Sequence, residues 1–316
     1  MTEAARRLGV VMVVGDCRDR GQHALDCLCA QDALDAMQIV VVDVAPEGAE
    51  PLSAPEGAPV EILRLPDVRR WAQARRAGLE RLTTEIVAFV EEHCFTDPGW
   101  ARALIGAHEG PWATVGYSFR NANPDSYVSR SAMLTDYGLW LEPVGRGPVE
   151  NLPGNNISYK REAFLSLGDR LEAALATDFV AHETFRERGL PMFLEPSARA
   201  AHMNFTTVWE TGLTNYIWCR AMAAQRATAR DWTPLRRVLQ GVVTPATAPA
   251  FRVVRLLRTM RDRRPLWKDL AVGLPVFVAV SMWAGFGEAA GYLAGAGNAE
   301  EQLKRWELDV ERVAVV

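Results

Sequence analysis

The chain has 316 residues, 49 % of them apolar, and a formal net charge of −4. That length suits one large domain or two, with enough apolar sequence for a sizeable core. The slightly acidic balance carries no global signature of nucleic-acid binding. Five cysteines, an odd number without a pair of Cys-x-x-Cys motifs, argue for free thiols in a reducing compartment and against a zinc knuckle.

The opening "MTEAARRLGVVMVV" places two arginines before an apolar run of strand length that stops at Gly15-Asp16. No small-residue cleavage site follows, so no signal peptide is read and the bulk of the chain is expected in the cytoplasm. "GVVMVVGD" (9–16), "QIVVVDV" (38–44), "PVEILRL" (59–65) and "EIVAFVEE" (85–92) read as strands. "GQHALDCLCAQDAL" (21–34) and "DVRRWAQARRAGLERL" (67–82) read as helices, the second with Asp67 as N-cap. Apolar strands separated by helices predict a parallel sheet covered on both faces. Ligands of such sheets sit beyond the carboxyl ends of the strands, where Asp16, Asp43 and Glu91 are expected to converge.

The middle of the chain is less regular. "WATVGYSF" (112–119) reads as a strand, and 121–127 and 141–156 read as loops rich in Pro, Gly and Asn. A helix is expected near 171–189, followed by two short strands in "PMFLEP" and "ARAAHMNF". The C-terminal third changes character. "FRVVRLLRTMRDRRPLWK" (251–268) spaces arginines as a basic amphipathic helix, and "LAVGLPVFVAVSMWAGFG" (270–287) is uncharged and barely long enough to span a bilayer. Pro275 and several glycines argue against a straight span, Glu288 interrupts the run, and a charged helix follows from Asn298.

The order of these motifs over residues 9–205 resembles the family 2 glycosyltransferases. "VVMVVGDCRDRGQHALDCLCAQD" is similar to the family's opening strand and helix, "ARRAG" to its Ala-Arg-Asn-x-Gly, and "EIVAFVEEHCFTDPGW" to the strand and loop of its Asp-x-Asp motif. "LPGNNISYKREAF", "TDFVAHETFRERG" and "FLEPSARAAH" resemble the segment after the metal site, the helix opening with a catalytic Glu-Asp pair, and the closing strands that end in a histidine. The resemblance implies an α/β GT-A fold (Rossmann-like, mainly parallel, helices on both faces) over 1–230, with a helical membrane-associated region over 231–316. It implies an inverting, hexosyltransferase-type enzyme that moves sugar from a UDP- or GDP-sugar.

The residues implied are specific. Glu91 and His93 occupy the Asp-x-Asp positions, and His202 completes the metal site. This oxygen and nitrogen set favours Mn²⁺ over Mg²⁺ as the divalent cation. Glu92 is assigned to donor binding. Asp178, in a Thr177-Asp178 pair where the family has Glu-Asp, is the general base that takes the acceptor's proton, with His182 four residues on to tune it. Asp43 binds the nucleotide, although Val44-Ala45-Pro46 replaces the family's Asp-Gly-Ser. Arg75 either meets the diphosphate or pairs with a neighbour such as Glu80. Asn155 and Asn156 line the donor or acceptor pocket or supply turn conformations.

Each assignment has a plainer counterpart. Strand-end acids can be solvated, His202 a hydrogen-bonded core residue, Asp178 an N-cap, Asp43 a turn residue, and Trp100 packing. The basic helix and apolar segment point to an anionic membrane, either interfacial or re-entrant, or to a buried helical hairpin. The expected location is the cytoplasmic face of the inner membrane, peripheral or monotopic, with a cell-envelope acceptor that can be lipid-linked; an oligomer is compatible, and nucleic acid is not a partner. The competing readings are a catalytically inactive nucleotide-sugar-binding or membrane scaffold protein, favoured by the departures from the motifs, and a nucleotidyltransferase, for which "GDCRDRGQ" is a poor phosphate loop.

Overall fold

The computed structural model describes residues 6–312. Residues 1–5, which begin the N-terminal segment, and 313–316, which end the charged tail, lie outside them. In chain order the elements are β1 (Leu8–Val14), α1 (Arg18–Cys29), β2 (Met37–Asp43), β3 (Val60–Arg64), α2 (Trp71–Arg81), β4 (Ile86–Glu91), β5 (Cys94–Thr96), α3 (Trp100–Ala107), β6 (Thr114–Asn121), α4 (Tyr127–Tyr137), β7 (Gly147–Val149) and β8 (Ile157–Lys160). Then come α5 (Arg161–Leu165), α6 (Leu171–Ala176), α7 (Phe179–Glu187), β9 (Met192–His202), α8 (Val208–Ala229), α9 (Pro234–Met260), α10 (Trp267–Ala294) and α11 (Ala299–Leu308).

The described chain forms two compact units. The first comprises residues 6–120, 144–202 and 308–310; the second comprises 121–143, 203–307 and 311–312. Residues 203–230, grouped by sequence with the first domain, cluster with the second unit.

The first unit carries one mixed sheet in the order β3-β2-β1-β4-β8-β6-β9-β5, with β7 paired to β9. The parallel part is the run β3-β2-β1-β4, built from the apolar strands that the sequence makes plain. Every residue of β1 and β4 is buried, as expected of strands covered on both faces. From β4 onward the sheet departs from the parallel expectation, because β8 lies antiparallel to both β4 and β6, and β9 antiparallel to β5 and β7. Register fixes the site: Val14 pairs with Asp43 and Val13 with Glu91, so both acids finish at the same end of the sheet, flanking β1.

Local expectations change in four places. Helix α2 begins at Trp71, with Arg70 rather than Asp67 at the cap position, because residues 67–70 form a turn and bend first. The expected helix over 171–189 is broken by Thr177, whose extended backbone (φ −146°, ψ 128°) ends α6 and turns the chain into α7. The two short strands are one continuous strand, β9. Helix α4 and strand β7 lie in sequence that carries no clear period.

The second unit is helical. The expected basic helix 251–268 is the end of the longer α9 followed by a separate turn, so Arg261, Arg263 and Arg264 lie past its last residue. Helix α10 runs through Glu288 to Ala294, and the segment Arg264–Ala294 is long and apolar enough to cross a membrane. Within the unit, α10 packs against α8, α9 and α4. The contact with α8 is close: a Cβ on Gly287 would come within 2.2 Å of the Tyr216 carbonyl oxygen, and one on Gly291 within 2.3 Å of that of Arg220. Only glycine lets the two backbones meet there.

Candidate active site

Strand β4 delivers Glu91 to the sheet end, and the chain turns through Glu92 and His93 into β5. β5 pairs antiparallel with the end of β9, setting Cys94 opposite His202. The turn at Glu92–His93 and the pairing of β5 with the end of β9 bring His93 and His202 onto Glu91. His93 Nε2 lies 3.3 Å and His202 Nε2 3.4 Å from Glu91 Oε2, with the two rings edge to face at 4.8 Å. One ligand atom from each of Glu91, His93 and His202 lies within 4.8 Å of the others, and all three residues are buried. One carboxylate and two imidazoles, all on one spot, form a donor set suited to a divalent transition metal.

The ligands are held from behind. Glu91 accepts a hydrogen bond from Asn155 Nδ2 at 2.7 Å and another from Asn156 Nδ2, while its own backbone N–H donates to Asn156 Oδ1 at 2.9 Å. Glu92 Oε2 lies 3.4 Å from His93 Nδ1, leaving Nε2 directed at Glu91, and Arg20 is bonded to Glu92 Oε1. This is the arrangement in which an outer carboxylate fixes an imidazole's orientation toward a metal. Burial pushes the Glu91 carboxyl up, but the charge of His93 and the hydrogen bonds from both imidazoles outweigh it and hold it well below the usual carboxylate range. Glu91 is therefore in the ligating form at neutral pH.

Asp178 lies at the break between α6 and α7 and is 2 % exposed. It occupies the cap position without capping by its side chain. Its carboxylate instead accepts from the Tyr159 hydroxyl at 2.6 Å, the Asn155 N–H at 2.7 Å and Arg75 Nη1 at 3.4 Å. Asn155 adopts a positive φ of 65°, which turns its backbone N–H to Asp178 while its side chain reaches Glu91. One residue thus bridges the metal-ligand cluster and the candidate base, and its Oδ1 is buried without a hydrogen-bond partner. The Tyr159 hydroxyl also lies 3.2 Å from His182 Nε2, so His182 reaches Asp178 through Tyr159 rather than directly. Burial takes His182 down to about 4 against the opposing pull of Asp178, which makes it a neutral imidazole near pH 7. Burial and Asp178 raise the Tyr159 phenol well above its ordinary value, keeping it a donor.

A model of the family described as "Glycosyl transferase family 2" matches residues 10–171, just over half of the chain. The chain belongs to glycosyl transferase family 2. Among solved structures, it is similar to the mannosyltransferase PcManGT from Pyrobaculum calidifontis, in complex with GDP-Man and Mn²⁺, at 16 % identity and a TM-score of 0.52, over 92 % of this chain and 87 % of that one. It also aligns with TarS of S. aureus at 13 % identity and a TM-score of 0.46, over 87 % of this chain and 55 % of that one. Comparison with curated protein sequences gives no match. The family match and the likeness to the mannosyltransferase show the GT-A fold. The matched stretch contains Glu91, His93, Asn155, Asn156 and Tyr159; Asp178 and His202 lie beyond it.

Against this family frame, the predicted residues fall into two groups. Glu91, His93 and His202 meet as the resemblance implies. The residues expected around the donor are engaged with the protein. Arg75 is buried, stacks 4.2 Å over the Phe89 ring, donates to the Leu175 and Asn155 carbonyls, and pairs with Asp178; its neighbour Arg76 is the one that meets Glu80. Asn155 and Asn156 hold Glu91, and Glu92 holds His93. Asp43 is gripped by Arg18 at 3.0 and 2.9 Å and by Arg64 at 2.6 Å, and it accepts the Ala45 N–H at 3.1 Å. Trp100 is fully buried and packs edge to face with Tyr117.

Two residues escaped the sequence reading. Arg20 sits in a run of alternating Arg and Asp on α1, and nothing in that run says which arginine turns inward. Tyr159 is visible only as an inward position of a four-residue strand.

Proposed function

We propose that the chain is an inverting glycosyltransferase that moves a sugar, of hexose type, from a UDP- or GDP-sugar to a membrane-associated acceptor of the cell envelope. The observation that carries this reading is the juxtaposition of the Glu91–His93–His202 cluster with Asp178 through the single residue Asn155. Inverting transfer requires these two functions side by side: support for the departing nucleoside diphosphate and a carboxylate to take the acceptor's proton.

The cluster fits a divalent cation, since three buried donor atoms converge, Asn155 and Asn156 hold Glu91, and Glu92 lies behind His93. Glu91, His93 and His202 would hold it, with Mn²⁺ preferred for the two nitrogen ligands. When bound, such an ion neutralises charge on the leaving diphosphate. The similar mannosyltransferase holds GDP-Man and Mn²⁺, which makes GDP-mannose with Mn²⁺ the first donor to test.

The chain's own residues supply the rest of the mechanism. Asp178 is the base: its carboxylate receives the acceptor hydroxyl proton as that oxygen attacks the anomeric carbon. Tyr159 and Asn155 fix the carboxylate's direction, and neutral His182 donates its Nε2–H to the Tyr159 oxygen, whose one proton goes to Asp178, without adding charge. Asp43, with Arg18 and Arg64, lies at the nucleotide end of the same sheet edge and binds the donor's nucleoside portion. The helical region carries the enzyme to the cytoplasmic face of the membrane, where a lipid-linked acceptor is presented; self-association is compatible with this placement.

Stereochemistry tests the reading. The ¹H NMR spectrum of the first product formed from an α-linked nucleotide-sugar is expected to show a β-linked anomeric proton. An α-linked product means retention, which a single-displacement site cannot give, and no turnover of any nucleotide-sugar would favour the inactive scaffold.

A further inference from the structure

We propose that α9, rather than the more apolar α10, is the lipid-docking element, with its outer face lying in the headgroup region of an anionic bilayer. This rests on the membrane location proposed above and specifies the surface that achieves it. Helix α10 passes the length and composition test for a membrane span, yet 44 % of that window is buried within the protein. Its glycines sit against the backbone of α8, and Gly285 sits against Pro245 and Pro249 of α9. The acid that interrupts its apolar run, Glu288, is paired by Arg252 of α9 at 2.8 Å and Arg226 of α8 at 3.5 Å. These contacts tie α10 into its bundle, while Val272, Met282, Phe286 and Leu293 remain 47–55 % exposed.

Helix α9 is the more exposed, with five of its 27 residues buried against eleven of the 28 in α10. Leu235, Leu239, Val242, Phe251, Val254 and Leu257 are 44–70 % exposed. They form two runs at helical spacing, Leu235–Leu239–Val242 and Phe251–Val254–Leu257, with the second turned around the helix from the first. Pro249, between the two runs, is buried against Gly285 of α10. The 27 residues of α9 contain no Asp or Glu. Exposed Arg236 lies near its start, exposed Arg255 and Arg258 near its end, and exposed Arg261 and Arg264 just beyond, followed by Trp267 at 52 % exposure.

Exposed apolar runs bordered by arginines, with no acid within the helix and a single one, Asp262, among the arginines beyond it, complement an anionic lipid surface. A second copy of this chain is a poor occupant: two-fold pairing of one face would set arginine against arginine without an acid to receive it.

The test uses the full chain and vesicles of phosphatidylcholine with or without phosphatidylglycerol. Wild type is expected to sediment with anionic vesicles about tenfold more strongly than with neutral ones. It should leave them on carbonate washing, as an interfacial protein does. A Leu239→Glu/Val242→Glu variant, altered only at exposed positions and checked for an unchanged melt, is expected to lose about tenfold in binding or more. Phe251→Glu should do the same from another turn. Undiminished binding by both variants overturns the α9 assignment and leaves the membrane reading standing. Resistance to carbonate overturns it in favour of a spanning α10. Failure of wild type to bind any vesicle defeats both readings, and a dimer that the double variant abolishes, without vesicle binding, makes this face a self-interface.

Discussion

An Arg75→Met variant is expected to lose about 3–5 kcal/mol of stability, seen as a fall of roughly 10 °C in Tm. The Arg75 and Asp178 side chains are 2 % and 1 % exposed, so removing the guanidinium strands a buried carboxylate. It also strips donors from the Leu175 and Asn155 carbonyls. Methionine retains apolar contact with Phe89, which isolates the loss of charge and hydrogen bonding from loss of packing. The double variant Arg75→Met/Asp178→Asn should recover part of the loss, because the uncompensated charge is gone. Denaturant unfolding of the four proteins in the cycle measures the coupling. Simple additivity would mean that the 3.4 Å contact contributes nothing and that Asp178 is stabilised by Tyr159 and Asn155 alone.

Asp178→Asn is expected to lower kcat by about 10²–10⁴, the usual contribution of a positioned general base. Asparagine keeps the size of the side chain and an oxygen for Tyr159 or the Asn155 N–H, so the fold should survive and nucleotide binding at Glu91, His93 and His202 should be little changed. The diagnostic pattern is a loss in kcat with an unchanged dissociation constant for the donor. Transfer within a few-fold of wild type would reduce Asp178 to a structural hub joining α7, β8 and the Asn155 turn. A parallel loss of donor binding would show instead that the Asn155 bridge had collapsed, since the same residue holds Glu91.

The parallel half of the sheet was readable because β1, β2 and β4 are buried on both faces and their apolar runs are continuous, although β3 at its edge is largely exposed. Beyond β4 that signal fades: β8 has four residues, β5 and β7 three each, and their pairing depends on partners far away in sequence. The meeting of Glu91, His93 and His202 was legible as ordered motifs, since Glu91 closes one strand with His93 in the turn after it, and His202 closes another. What the sequence did not carry was direction. Arg75 and Arg76 are adjacent and alike in composition, yet helix phase buries the first against Phe89 and exposes the second to Glu80. Glu92 looked like a ligand for the donor, but the turn into β5 points it back at Arg20 and His93. The membrane signal lay in the basic helix and the apolar segment together, and sequence alone did not divide it between them; 44 % of the apolar window is buried within the protein.

The central claim, a nucleotide-sugar site built on Glu91, His93 and His202, is tested most directly by thermal unfolding with GDP-mannose or UDP-sugars in Mn²⁺ or EDTA, on wild type, His93→Ala and His202→Ala. A donor at 100 times its dissociation constant adds about 2.7 kcal/mol to the folded state. The account predicts that this stabilisation appears in wild type only with Mn²⁺ and disappears in both histidine variants. A nucleotide-sugar shift of the same size in EDTA, unchanged by either substitution, would contradict it.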